Sequence, residues 1–80
     1  MSSRYRPLKY REAATILANL GFTLRPTKST GHAQWAKVMP GKLLKVTVSK
    51  SKREFGHDLI RYMAHQAGVT KKQFYEALGS

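Results

Sequence analysis

Residues 32–48 read HAQWAKVMPGKLLKVTV, two runs of alternating side chains on either side of Pro40-Gly41. A proline has no N–H to give a ladder and a glycine accepts the dihedrals of a tight turn, so the pair is read as a turn. The alternation then predicts two antiparallel strands, His32–Met39 and Lys42–Val48. In the later run Leu44, Val46 and Val48 fall on one face, with Lys45 and Thr47 on the other. The earlier run is two-sided: Trp35 and Met39 share a face with Lys37, whereas Ala36 and Val38 share the other with His32. Trp35 is the largest apolar group in the chain and a small core needs it. Trp35 is therefore read inward, which points His32 outward.

Working outward, Phe22, Leu24 and Pro26 alternate with Thr23, Arg25 and Thr27 as a short half-buried strand, and residues 27–31 supply the turn into the next one. Before it, Ala13, Ala14, Leu17 and Leu20 mark one face of a helix over residues 9–20, with Gly21 at its C-cap and Pro7 harmlessly upstream. Residues 1–6 read as a loose basic arm. Beyond the third strand, residues 49–53 form a basic loop. A helix capped by Asp58 follows, with Leu59, Tyr62, Met63, Gln66 and Ala67 at helical spacing and Gly68 ending it. Thr70 and Gln73 make a capping box for a short last helix docked by Phe74 and Leu78, and the last two residues read as a fraying end. The order helix, three strands, helix, helix predicts a single α+β domain over residues 1–80: a three-stranded antiparallel meander with helices on one face. That is the layout of a double-stranded-RNA-binding-like fold, α-β-β-β-α-α.

Fifteen Lys and Arg against four acids give a formal charge of +11. A surface this basic repels itself and calls for an anionic partner, nucleic acid first. The cations are spread through every segment instead of lining one helical face, which argues against a membrane-surface helix. Apolar runs are broken by charges far short of the ~20 residues that span a bilayer, and no signal peptide is read. With no cysteine there is no disulfide, thiol nucleophile or cysteine-ligated zinc, which fits a reducing compartment. The acids Glu12, Glu54, Asp58 and Glu76 are scattered, and His32, His57 and His65 fall on different elements, with His57 in a loop and His65 on an exposed helix face. Neither pattern has metal-ligand spacing, so no metal and no cofactor is expected. A DNA-binding reading lacks a long enough helix after the Gly68-Val69-Thr70 turn.

The stretch Thr30-Gly31-His32 puts an imidazole, whose ordinary pKa lies near neutrality, behind a glycine that would let another backbone approach. In so basic a chain this suits chemistry on a polyanion. Arg25, Lys28 and Lys37 are the cations nearest His32 by strand pairing, and Lys50, Lys52 and Arg53 make the basic loop a candidate phosphate grip.

Leu20-Gly21-Phe22, Thr30-Gly31-His32, Trp35, Thr47-Val48, Glu54-Phe55, Ile60-Arg61, Gln66-Ala67-Gly68-Val69 and Phe74 follow one another over nearly the whole chain. In that order and spacing they resemble the HicA family of bacterial toxin–antitoxin systems. Where the family often has Gly-Ser-His the chain has Thr30-Gly31-His32, which keeps a small residue before the histidine. Where the family often has Pro-x-His after the third strand the chain has Ser49-Lys50-Ser51, so no role of that second histidine carries over. The resemblance implies metal-independent cleavage of messenger RNA in the bacterial cytoplasm, inhibiting translation and growth, with His32 as the catalytic acid or base. It also implies an acidic, HicB-like antitoxin that masks His32 and the loop at Lys50, Lys52 and Arg53, with apolar contacts near Trp35 or the sheet edge. The competing expectation is a basic RNA-binding domain of the same fold in which His32 is incidental.

Overall fold

The computed structural model describes residues 6–28 and 30–79; the arm over residues 1–5, Ser29 in the turn and Ser80 lie outside them. The elements run α1 (Tyr10–Asn19), β1 (Thr23–Arg25), β2 (His32–Met39), β3 (Lys42–Ser49), α2 (His57–Gln66) and α3 (Lys71–Glu76). The three strands form one antiparallel sheet in the order β1-β2-β3. In the register Trp35 sits opposite Val46 and Ala33 opposite Val48, so these four share a face. All four are buried in one cluster with Ala13, Ile16 and Leu17 of α1, Ile60, Met63 and Ala64 of α2, and Phe74 of α3. The expected α+β architecture is therefore the observed one, with Trp35 inward.

Among the described residues nothing accepts the buried Trp35 indole N–H. An unpaired buried donor costs ~1–3 kcal/mol. The ring itself removes about 150–250 Å² from water, at ~25 cal/mol/Å² an upper value of about 4–6 kcal/mol, so burial wins.

Glycine sets two helix ends. Gly21 (φ +96°) and Gly68 (φ +78°) adopt left-handed dihedrals that a Cβ would strain. After each, the chain folds back in a Schellman pattern: Phe22 N–H donates to Leu17 O and Val69 N–H to Ala64 O. The Thr70–Gln73 capping box forms in both directions, Gln73 N–H to Thr70 Oγ1 at 3.0 Å and Thr70 N–H to Gln73 Oε1 at 2.9 Å.

Several local expectations are corrected. Asp58 does not cap α2; the N-cap is Gly56, and Asp58 sits in the first turn, where its charge favours the helix dipole. His57 is the first residue of α2 and not a loop residue, with its Nδ1 2.8 Å from Lys71 Nζ. The β1 stretch is not half-buried: Phe22 precedes the strand and is buried, while Thr23, Leu24 and Arg25 are all exposed. Arg6 is not part of a loose arm. It clasps Glu12 with two hydrogen bonds, at 3.2 and 2.7 Å, and its carbonyl accepts the Tyr75 hydroxyl.

The buried stripe of α2 is also one position later than the sequence pattern suggests. Ile60, Met63, Ala64 and Ala67 go into the core, and Leu59 and Tyr62 stay exposed. Both sets repeat at i, i+3, i+4, i+7, so periodicity alone does not choose between them. The observed choice puts two alanines into the core and leaves the Tyr62 phenol outside it, where its hydroxyl keeps water instead of needing a buried partner.

Candidate nucleic-acid interface

His32 is the first residue of β2 and its side chain is exposed. Side chains alternate along a strand, so His32, Gln34, Ala36 and Val38 lie on the face of β2 opposite Trp35. The register carries this outer face across all three strands: Arg25, Gln34 and Thr47 stand in one row, Thr23, Ala36 and Lys45 in the next, and His32 pairs with Ser49. Gln34 Nε2 donates to Thr47 Oγ1 at 3.3 Å, tying β2 to β3 through side chains on this face.

β3 is an edge strand, and α2 runs beside its free edge. The Thr47 N–H, which points away from β2, meets Gln66 Oε1 at 3.4 Å, so the side chain of α2 covers a ladder group that would otherwise face solvent. Between helix and sheet lies a groove with a cavity volume of about 350 Å³. His32, Thr47 and Ser49 border it on the sheet side, Leu59, Tyr62 and Gln66 on the helix side, and the buried Phe55 and Met63 line its base.

The basic loop is fixed at both ends. Lys50 N–H donates to Gly31 O at 2.8 Å, one residue before His32. At the far end Phe55 pairs with Leu8 in an isolated antiparallel bridge, with N–H to O distances of 3.2 and 2.7 Å in the two directions. Lys50, Lys52 and Arg53 are therefore exposed cations on a short loop tethered beside His32 at one end and at the base of the groove at the other.

The nominated cations divide by face. Arg25 starts on the outer face, across from Gln34 and so one row from His32. Lys28 is exposed in the loop after β1. Lys37 is on the opposite face and is already employed: its ammonium donates to Leu20 O at 2.8 Å and lies 5.9 Å from the centroid of the Phe22 ring. It closes the C-terminal end of α1, and in this arrangement it does not join His32.

Two further expectations change. A Cβ at Gly31 would meet nothing within 4 Å and its φ is outside the left-handed region, so no neighbour among the described residues requires a glycine there; the backbone that meets it is that of Lys50, whose N–H its carbonyl accepts. Trp35, named together with the sheet edge as a region for antitoxin contacts, is only 8% exposed and faces the helices, which leaves the sheet edge as the expected region. The apolar side chains that do reach solvent near His32 are Leu59 and Tyr62.

Sequence reasoning missed the helix side of the groove. Leu59, Tyr62, Met63 and Gln66 share a stripe at helical spacing, but that spacing alone does not say whether the stripe faces the core or a groove. Lys45 was missed as well; its place on the outer face follows from the alternation in β3.

Among the described residues no three His, Cys, Asp or Glu side chains are grouped as metal ligands, and no helix is long and apolar enough to cross a membrane. No protein-family model matches the chain, and no curated protein is significantly similar to it.

Proposed function

We propose that this chain is an endoribonuclease of the messenger-RNA-cleaving toxin type, acting without a metal ion, with His32 as the proton-transfer group. The observation that carries the reading is the position of His32: exposed, at the mouth of a groove, on an open sheet face, beside a tethered basic loop in a chain of charge +11. The HicA-like order of residues from Leu20-Gly21-Phe22 to Phe74 supports it.

The chemistry asks little of the protein. RNA carries its own nucleophile: the 2′-hydroxyl attacks the adjacent phosphorus, the 5′-oxygen leaves, and the products are a 2′,3′-cyclic phosphate and a 5′-hydroxyl. One proton comes off the nucleophile and one goes to the leaving oxygen, and an imidazole can serve in either transfer. A positioned acid or base contributes ~10²–10⁴-fold. Cations aimed at the phosphorane stabilise its charge. Arg25 on the outer face and Lys50, Lys52 and Arg53 on the loop are our candidates for that role, together with Lys28, exposed in the loop after β1. An acidic HicB-like antitoxin would restrain the enzyme by covering His32 and this loop.

The test is His32→Ala. Because the side chain is exposed, the variant should melt with the parent protein while RNA cleavage and growth arrest are lost. Parent cleavage should persist in excess EDTA and leave a cyclic phosphate. A folded His32→Ala protein that still cleaves RNA removes His32 from the reaction and leaves the non-catalytic RNA-binding reading ahead. Loss of cleavage in EDTA with recovery on adding magnesium would overturn the metal-free route.

A further inference from the structure

Helix α2 carries more apolar surface than the core uses. Ile60, Met63, Ala64 and Ala67 are buried, yet Leu59 and Tyr62, 39% and 59% exposed, stand on the adjoining stripe. Both face the groove that His32 borders. An aromatic and an aliphatic side chain thus stand together, open to water, in the same groove as the candidate catalytic group.

Three observations choose a partner for them. The first is size: about 350 Å³ is near the low end of the ~300–1,000 Å³ typical of small-ligand sites, which suits one planar ring system and not a helix or a folded partner. Next is the lining, an aromatic face with hydrogen-bonding groups beside it. Gln66 uses its Oε1 on the Thr47 N–H, and among the described residues its amide nitrogen has no partner, leaving two N–H donors for the edge of a ring. Ser49, whose hydroxyl is 3.4 Å from that of Ser51, adds a group that can donate or accept on the sheet side. Last is charge: the loop carrying the exposed Lys50, Lys52 and Arg53 runs between two residues that line the groove, Ser49 and Phe55, so the chain segment that joins its two sides is cationic.

We infer that Tyr62 and Leu59 form a stacking subsite for one unpaired nucleobase of a single-stranded RNA, with Gln66 at the base edge and the basic loop on the neighbouring phosphates. The inference rests on the ribonuclease reading and deepens it. A base inside a duplex is already stacked and cannot enter such a groove without being turned out. The subsite therefore selects single strands, and it holds one nucleotide beside His32 so that the adjoining phosphodiester is presented to the imidazole. Recognition by stacking tolerates different bases, because each has a π-face.

The experiment measures binding to a short 2′-O-methyl oligouridylate, which lacks the nucleophile and stays intact whether or not His32 is catalytic. Tyr62→Ala should weaken binding about 5- to 150-fold, the range of one base–aromatic stack, and Tyr62→Phe should stay within about twofold of the parent. An abasic oligomer of the same length should bind the parent and Tyr62→Ala equally, and blunt duplex RNA should compete poorly. Tyr62→Ala binding the oligouridylate as tightly as the parent, at an unchanged melting temperature, would overturn the inference and leave the groove to a protein side chain. Equal competition by duplex would overturn it as well. Failure of the ribonuclease reading looks different: His32→Ala would cleave RNA while the Tyr62 effect on binding persisted.

Discussion

Lys37→Met separates a structural cation from a nucleic-acid contact. By composition and strand pairing Lys37 belongs with the phosphate-binding candidates, but its ammonium is bonded to Leu20 O at 2.8 Å and lies 5.9 Å from the Phe22 ring centroid. Methionine keeps the apolar stem and removes the charge. A hydrogen bond from a charged donor contributes ~1.5–3 kcal/mol, a cation at a helix C-terminus ~0.3–1, and a cation near the ~6 Å limit of a ring about 0.5. One ammonium makes all three contacts and is only partly buried, so the terms overlap and the expected loss is about 2 kcal/mol. The whole domain is worth about 4–12 kcal/mol at its length. At ~4–8 °C per kcal/mol the melting temperature should fall by about 8–16 °C, read by circular dichroism. RNA affinity of the folded variant, and its slope against salt, should not move. A variant that melts with the parent while its salt slope drops by about 0.7, the loss of one phosphate contact on a single strand, would refute the assignment.

Two further outcomes bear on the scaffold. Arg6 hydrogen bonds, joined by the Lys9 N–H, hold the Glu12 carboxyl below the ordinary carboxylate range. The stabilisation is therefore present above the unfolded-state value and is lost as pH falls through the lowered folded value. The melting-temperature gap between the parent and Glu12→Gln should be widest at neutral pH and close in strong acid; a gap that does not vary with pH would rule out the carboxylate as its source. Thr70→Ala removes the α3 cap and should cost about 0.5–2 kcal/mol in a denaturant titration, and a variant as stable as the parent would mean the capping box adds nothing to the fold.

What the sequence made legible follows from how local each signal is. The β2–β3 hairpin rests on a period-two pattern and a Pro-Gly turn, and the Thr70–Gln73 box on two residues three apart, so both were readable without tertiary information. The Leu8–Phe55 bridge joins segments far apart in sequence and carries no periodic mark, since each partner is a single extended residue before a helix. The Arg6–Glu12 clasp was hidden for another reason: a basic N-terminal segment is read as an arm unless the partner carboxylate is known to be within reach. The register of the α2 core stripe was unreadable in principle, because two overlapping stripes satisfy the same helical period.

That ambiguity in α2 has a functional side. Were the helix turned to bury Leu59 and Tyr62, the groove would be filled by its own wall and Ile60 would face water. The rotation actually adopted places Met63 at the overlap of the two stripes, where it belongs both to the core and to the base of the groove. The sheet makes the same kind of division. Trp35, Ala33, Val46 and Val48 serve the core face, and the intervening positions are left to present His32, Gln34, Thr47 and Ser49 outward. A shift of β2 by one residue would exchange the two sets, burying the imidazole and exposing the indole. The position of His32 at the groove mouth is thus enforced by the burial of Trp35 three residues on, and the constraint that stabilises the domain is the one that orients its candidate catalytic group.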